Sequence, residues 1–428
     1  MLLHQVKLPH FKHSAESETV KLPMPDKVVI SMAQHLGAPC TPTVKVGDKV
    51  KIGDVIGSSE AAMSAPVHSS ISGTVTAITD VLHISGRNMQ SVVIENDGLE
   101  QISDSVCPPT VENREQFLQA VRNSGSIGLG GAGFPTSLKL GFDPKEKQPD
   151  FLIINGAECE PYITSDYRCF MEEGEDVLEG VLLMLKYLGI PKCVIGIEKN
   201  KPKAIEKMTR LCEKHDNITV KPLKSSYPQG AEKTLIFSTT GRVVKEGTLP
   251  LASGCIVINS STAAFIAQYI RTGMPLVKRR ITVDGNIVKK PSNFIVPVGM
   301  SIGDIVYYAE LSDKPDRIIL GGPMMGACAF DPDYPLSKTN NAVLMFADSP
   351  AYEPSDCIRC GKCVKACSMN LLPTELEHAF DMRDARQLEK LKVNLCVNCG
   401  ACSFVCPAKR NLAEKNQLAK AFLREQST

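Results

Sequence analysis

The chain has 428 residues, 43% hydrophobic and 22% charged, the profile of a globular protein long enough for two to four cores. Its 48 Lys and Arg balance 47 Asp and Glu, and a net charge of +1 offers no basic face for nucleic acid. The longest apolar stretch, Val181 to Ile190, is broken by Lys186 and falls short of the ~20 residues that cross a bilayer. Met1 to Ala15 lacks the apolar centre of an export signal, and neither end carries a lipidation motif, so membrane contact is expected only through partners.

Residues 1–104 read as all-β. Thr43-Val44-Lys45-Val46 and Lys49-Val50-Lys51-Ile52 alternate around Gly47-Asp48, which predicts a hairpin, and Pro66 to Val75 continues the pattern. The arrangement resembles the barrel-sandwich hybrid of lipoyl and biotinyl carriers. Where those present a modified lysine, this chain has Glu60-Ala61-Ala62-Met63-Ser64, so a scaffold is expected and not a carrier.

Residues 105–255 alternate strand and helix signals. Phe151 to Asn155 and Cys193 to Ile197 are continuous apolar runs of the kind found in buried parallel strands, with helical spacing from Asp176 to Leu188 between them. This succession predicts an α/β layer. Before the first run lies a glycine-rich loop, Gly128-Leu129-Gly130-Gly131-Ala132-Gly133-Phe134-Pro135-Thr136, whose backbone N–H groups can meet a phosphate or a flat ring at close range. After it come Asn155-Gly156-Ala157-Glu158-Cys159-Glu160-Pro161, at the carboxyl end where open α/β sheets bind ligands. A glycine turn or a solvated loop is the plain reading of each; together they outline a nucleotide cleft.

Residues 256–348 are mixed. Arg280 to Val283 followed by Asp284-Gly285 reads as a strand and a hairpin turn. A short helix is expected around Ile302 to Val306, then a strand at Arg317 to Leu320. The order resembles a β-grasp of the soluble-ligand-binding (SLBB-like) type, a likeness that says little about chemistry.

Residues 349–428 are read as helical between cysteine loops, with Thr374 and Glu377 as a capping box and a helix carrying Leu376, Ala379, Phe380, Leu388 and Leu391 inward. Eight of the sixteen cysteines fall here, in two runs: Cys357, Cys360, Cys363, Cys367 and Cys396, Cys399, Cys402, Cys406, the second followed by Pro407. Both obey Cys-x2-Cys-x2-Cys-x3-Cys, the spacing of [4Fe–4S] ligands, in which three thiolates wrap one cubane and the fourth serves the other. The expected sets are therefore Cys357, Cys360, Cys363 with Cys406, and Cys396, Cys399, Cys402 with Cys367. Gly361 and Gly400 would let backbone N–H groups approach the sulfurs. Structural zinc is the competing reading, but it usually takes two separated Cys-x2-Cys pairs. The other eight cysteines lack ligand spacing and read as buried or incidental thiols, Cys159 being the possible exception.

The glycine loop, the Asn155–Pro161 stretch, Tyr227-Pro228-Gln229-Gly230-Ala231-Glu232-Lys233 and the terminal pair of cysteine runs together resemble the C subunit of the Rnf complex, a membrane-bound ferredoxin:NAD+ oxidoreductase that pumps Na+ or H+. The middle of that subunit is similar to the NADH-binding flavoprotein of respiratory complex I. The resemblance implies non-covalent FMN, NAD(H) as substrate and two [4Fe–4S] clusters. It implies, as partners, integral-membrane and ferredoxin-type iron–sulfur subunits, and a peripheral place on the cytoplasmic face of the bacterial cell membrane. It places Gly130, Gly131, Ala132, Gly133 and Phe134 under the flavin and nicotinamide, and Lys139, Asn155 and Glu158 beside the cofactor. Glu160 would lie near the nicotinamide, Gly230 and Glu232 on the nucleotide side, and Asn259 and Thr262 near the FMN phosphate. Two positions depart from the complex I pattern: Leu129 stands where that pattern has arginine, and Ala157 where it has aspartate. Two other functions fit the same features: a cobalamin reductase of a bacterial microcompartment, and a metal-stapled interaction scaffold without catalysis.

Overall fold

The computed structural model describes residues 4–348, 350 and 352–426. The first three residues of the stretch read for a leader, and residue 349, where the cysteine-rich piece was expected to begin, lie outside them. In chain order, β1 (Val20–Lys21) precedes the strands β2 (Lys27–Ser31), β3 (Thr41–Pro42), β4 (Lys49–Val50), β5 (Val55–Ser58), β6 (Val67–His68), β7 (Gly73–Leu82) and β8 (Asn88–Asn96). They form two small antiparallel sheets, β2-β8-β7-β4 and β3-β5-β6, around a core of Val28, Ile30, Ile56, Val75 and Ile94. The hairpin expected around Gly47 does not form: β3 pairs with β5 while β4 pairs with β7. Gly47 N–H instead donates to the Val75 carbonyl, so the chain crosses from one sheet to the other there. Alternation alone cannot tell a hairpin from such a crossing, because both bury every second side chain.

The next segment holds α1 (Arg114–Asn123), α2 (Thr136–Leu140), β9 (Phe151–Gly156), α3 (Ser165–Leu188), β10 (Lys192–Glu198), α4 (Pro202–Cys212), β11 (Ile218–Leu223), α5 (Glu232–Thr240), β12 (Cys255–Asn259) and α6 (Ser260–Thr272). The four strands are parallel in the order β11-β10-β9-β12. Leu152 and Ile154 of β9 enter the core shared with α3, α4 and α6, while Ile153 enters the opposite core with Leu235 and Ile236 of α5. Burial on both faces explains the unbroken apolar runs. The chain moves outward from β9 through β10 to β11, then returns to β12 on the other side of β9. That reversal makes the carboxyl ends of β9 and β12 the switch point where such sheets bind ligands.

The third sheet is built from β13 (Lys278–Asp284), β14 (Ser292–Pro297), β15 (Arg317–Leu320), β16 (Ala327–Cys328) and β17 (Ala342–Phe346), with α7 (Ile302–Ala309) packed on it. Its order is β1-β14-β13-β17-β15-β16, with β13 and β17 parallel and each flanked by an antiparallel partner. The expected tight Asp284-Gly285 turn is absent, since residues 285–291 separate the strands. Gly285 instead lies against the Met345 backbone, where an added Cβ would stand 1.9 Å from the carbonyl oxygen.

The last segment contains α8 (Lys362–Ala366), α9 (Pro373–Asp381), α10 (Ala385–Lys390), α11 (Ala401–Phe404) and α12 (Leu412–Gln426). Leu376, Ala379, Phe380 and Leu388 share one core, with Leu391 packed against it, as expected. They belong to two helices, however, divided where Arg383 takes φ 53°. The capping box is also absent. Pro373 occupies the first helical position, which puts Thr374 inside the helix, and Glu377 instead accepts from Arg410 Nε at 2.9 Å. No described helix is long and apolar enough to cross a membrane.

Helices α3 and α6 meet backbone to backbone at Gly180, where an added Cβ would stand 1.9 Å from the Ala263 carbonyl oxygen. Gly180→Ala gains about 1 kcal/mol of helix propensity. Forcing the helices apart costs roughly 1–3 kcal/mol, and the clashing atom is backbone that no rotamer change can move. The substitution is therefore expected to lower the thermal midpoint; an unchanged or raised midpoint would contradict this packing.

Candidate functional site

The glycine loop closes on itself through Gly128 N–H to the Phe134 carbonyl (2.8 Å) and Gly133 N–H to the Gly128 carbonyl (3.2 Å). Gly131 at φ 102° and Gly133 at φ 62° take backbone angles that a side chain would strain. The closure leaves Gly130, Gly131 and Ala132 exposed at its tip. Leu129 N–H donates to Thr262 Oγ1 (3.1 Å), and Gly130 abuts the Asn259 side chain. Asn259 ends β12 and caps α6, accepting from Ser261 N–H at 2.9 Å. Thus the loop, Asn259 and Thr262 meet at the switch point.

Around them the remaining candidates form pairs. Asn155 Nδ2 donates to the Gly230 carbonyl (3.0 Å), and Lys139 Nζ meets Glu232 at 2.7 Å. Glu158 is buried and accepts from Asp166 N–H (2.7 Å) in the first turn of α3, whose N-cap Thr164 makes no side-chain bond to the helix's own N–H groups. Asp166 in turn accepts from Asn259 Nδ2 and Ser261 Oγ, each at 2.7 Å. Burial raises the Glu158 carboxyl to about 7, opposed by the charges of Lys12 and Lys201.

Glu160 stands apart from the loop. Its carboxylate accepts from Met324 N–H at 3.0 Å and lies 3.5 Å from the Tyr227 hydroxyl, which donates to the Cys399 carbonyl at 2.5 Å. Cys159, the possible exception among the scattered thiols, is pushed up to about 12 by burial and by Glu198, so it stays a neutral thiol at ordinary pH.

The cysteines fall into two groups that each draw on both runs. Cys357, Cys360, Cys363 and Cys406 line one cavity, with Cys357 and Cys360 exposed to solvent. Cys402, pushed up to about 12, and Cys399, pushed up to about 11, are raised first by burial and then by their neighbours; those of Cys402 are Cys396, Cys399 and Cys367, and those of Cys399 are Cys396 and Cys367. The two sets touch where Cys363, Cys402 and Cys406 share a small core with Leu412. Each run bends in the same way: Arg359 and Asn398 take φ 55° and 54°, Gly361 and Gly400 take φ 72° and 77°. At these bends Arg359 N–H points to Cys357 Sγ and Asn398 N–H to Cys396 Sγ, both at 3.4 Å. Among the described residues no three ligand side chains close on a single-ion site. Thiols spread around a space and backed by N–H donors suit the corners of a cubane.

Several residues here gave no sequence signal. Lys12 is half-buried and donates to the carbonyls of Glu158 (3.0 Å), Glu160 (2.8 Å) and Ile163, while Lys201 Nζ pairs with Glu198 at 2.9 Å. Asp166 and Arg279 likewise lie outside any motif. Tyr227 opens the Tyr227–Lys233 stretch, but nothing in its spacing points to a cysteine loop.

Burial raises Glu160 from 4.5 to about 7, with the Met324 N–H and Lys12 opposing. Between these values the folded chain holds a proton that the unfolded chain has released, so stability falls as pH rises from 4.5 to 7. Glu160→Gln, neutral throughout, should therefore match the wild type near pH 5 and exceed it at pH 8 by on the order of 2–3 kcal/mol. Parallel melting curves for the two proteins across that range would contradict the assignment.

Residues 3–99 match the RnfC barrel sandwich hybrid domain, residues 121–268 the Nuo51 FMN-binding domain, and residues 356–410 a 4Fe-4S dicluster domain. The C subunit of the Na(+)-translocating ferredoxin:NAD(+) oxidoreductase complex of Acetobacterium woodii is 41% identical over 82% of this chain and 81% of its own length. The C subunit of the proton-translocating ferredoxin:NAD(+) oxidoreductase complex of Clostridium ljungdahlii is 40% identical over 90% of this chain and 85% of its own. That of the ion-translocating oxidoreductase complex of Rhodobacter capsulatus is 34% identical, over 90% and 76%. Among solved structures, a chain of an NAD+-reducing [NiFe]-hydrogenase in the H2-reduced state aligns with a TM-score of 0.51 at 20% identity. The alignment covers 73% of this chain and 63% of that one, and the likeness concerns the fold alone. With a barrel-sandwich domain, an FMN-binding domain and a 4Fe-4S dicluster domain in this order, the chain belongs to the RnfC family, the C subunits of ion-translocating oxidoreductase complexes.

Proposed function

We propose that the chain is the peripheral NAD(H)-linked subunit of a membrane-bound ferredoxin:NAD+ oxidoreductase, carrying FMN and two [4Fe–4S] clusters on the cytoplasmic face of the cell membrane. Its partners are the integral-membrane and ferredoxin-type iron–sulfur subunits, through which electron flow is coupled to Na+ or H+ translocation. A bound flavin supplies the exchange between two-electron hydride chemistry and one-electron transfer. The observation that carries the reading is the Tyr227 hydroxyl on the Cys399 carbonyl, which seats one cysteine set against the segment bearing the switch point while the other set opens outward.

In this reading Gly130, Gly131, Ala132, Gly133 and Phe134 receive the flavin and nicotinamide, and Asn259 and Thr262 hold the phosphate side. Lys139, Asn155, Gly230 and Glu232 border the cofactor through the two contacts that tie them in pairs, and Glu158 stiffens the start of α3. Glu160 borders the nicotinamide on the side of Tyr227. Cys357, Cys360, Cys363 and Cys406 hold the outer cluster; Cys367, Cys396, Cys399 and Cys402 hold the inner one, nearer the flavin. We further propose the domain division 1–104, 105–255, 256–348 and 349–428, with a soluble-ligand-binding β-grasp as the third, its β13-β14-α7-β15-β17 order supporting that assignment. No observation favours corrin reduction or a purely structural role.

Anaerobically purified protein should contain FMN and about eight irons, four per cubane. A colourless preparation holding zinc would sink the reading. Cys367→Ser should halve the iron and remove only the inner cluster's paramagnetic signal, since the crossed arrangement assigns that thiol away from its own run. If the signal of the outer cluster disappeared instead, the crossing would be wrong.

A further inference from the structure

Arg279 and Arg280 are neighbours on β13, and their charges are met in opposite ways. Arg280 forms ion pairs with both Glu172 and Glu173. Arg279 is only 4% exposed and forms no ion pair among the described residues. Its guanidinium donates to two carbonyls instead, that of Asn340 at 3.3 Å and that of Leu129 in the glycine loop at 3.0 Å. Asp166 acts on it at longer range, but the Asp166 oxygens are already engaged by Asn259 and Ser261. Burial lowers Arg279 to about 10, which still leaves it charged at neutral pH, whereas Arg280 is held above its usual value. An interior cation without a directly paired carboxylate is costly to keep.

Its place explains why it is kept. The third sheet's neighbourhood grips the glycine loop at two points, Arg279 at Leu129 and Thr339 against Gly133, while Lys338 Nζ holds the Gly125 carbonyl just before the loop (2.9 Å). Leu129 is bonded on its other side to Thr262, at the start of α6. The charge therefore stands behind the loop whose exposed tip adjoins Asn259 and the positive end of a helix.

We propose that Arg279 is a positioning residue for the flavin phosphate, fixing the glycine loop through the Leu129 carbonyl and supplying the charge that favours a phosphorylated flavin over an unphosphorylated one. The proposal rests on the flavin reading above. It is tested on flavin-depleted full-length protein, titrated anaerobically with FMN and with riboflavin and followed by flavin fluorescence. Arg279→Met should weaken FMN at least tenfold and riboflavin less than threefold, whereas Arg279→Lys should keep most of the preference for FMN. Should the Met variant not fold, Arg279→Gln serves as the neutral variant. Equal loss of both flavins, an unchanged preference in the neutral variant, or equal loss of preference in the Lys and neutral variants would overturn the proposal. Wild-type protein that binds neither flavin would instead sink the flavin reading itself.

Discussion

One lysine ammonium, that of the half-buried Lys12, organises the centre of this molecule. The loop from Glu158 to Ile163 has no regular partner strand, so its carbonyls must be satisfied by something other than a ladder. Lys12, arriving from the amino-terminal segment, donates to three of them. Lys201 adds a weaker contact to the Glu158 carbonyl (3.3 Å) while paired with Glu198. Burial pulls the Lys12 ammonium down to about 8, against the opposing charge of Glu158. With that loop held, Glu158 reaches the first turn of α3 and Glu160 reaches Met324 and Tyr227 from opposite ends of three residues.

The amino-terminal segment is therefore structural well beyond the first barrel. Val6 bridges Tyr227, Leu8 packs with Tyr227, Ala366 and Ala401, and β1 extends the third sheet beside β14. One extended stretch thus touches the α/β layer, the third sheet and the cysteine-bearing helices. Relative placement of sites on different segments matters for electron transfer, and this strap helps to fix it by apolar burial and backbone pairing.

The cysteine-rich segment pairs two near-identical bends with unequal surroundings. Gly361 has open space where a Cβ would be, whereas Gly400 lies against the Met324 backbone at 2.7 Å. The first bend thus opens onto free space, and the second is pressed onto the body of the protein. Matching local geometry with different burial is a physical basis for different properties in the two sites, since solvent access and hydrogen bonding to sulfur tune an iron–sulfur centre.

Spacing was the most legible part of the sequence. Two repeats of Cys-x2-Cys-x2-Cys-x3-Cys specify their geometry locally, because each loop must wrap its own ligand, and the crossed grouping of Cys406 and Cys367 is the expectation that pattern raises. The apolar runs of β9 and β10 were equally plain, since a strand covered on both faces is built mostly of apolar residues. Turns were less legible: alternation around Gly47 and the Thr374–Glu377 spacing both suggested local motifs that longer-range pairing and Pro373 overrode. What the sequence could not express was which distant groups meet. Lys12 beneath the Glu158 loop, Tyr227 on Cys399 and Arg279 behind Leu129 are separated by well over a hundred residues. Chemistry carried by neighbours in the chain is written in the sequence; charge placed by packing is decided only when the sheets and helices close on one another.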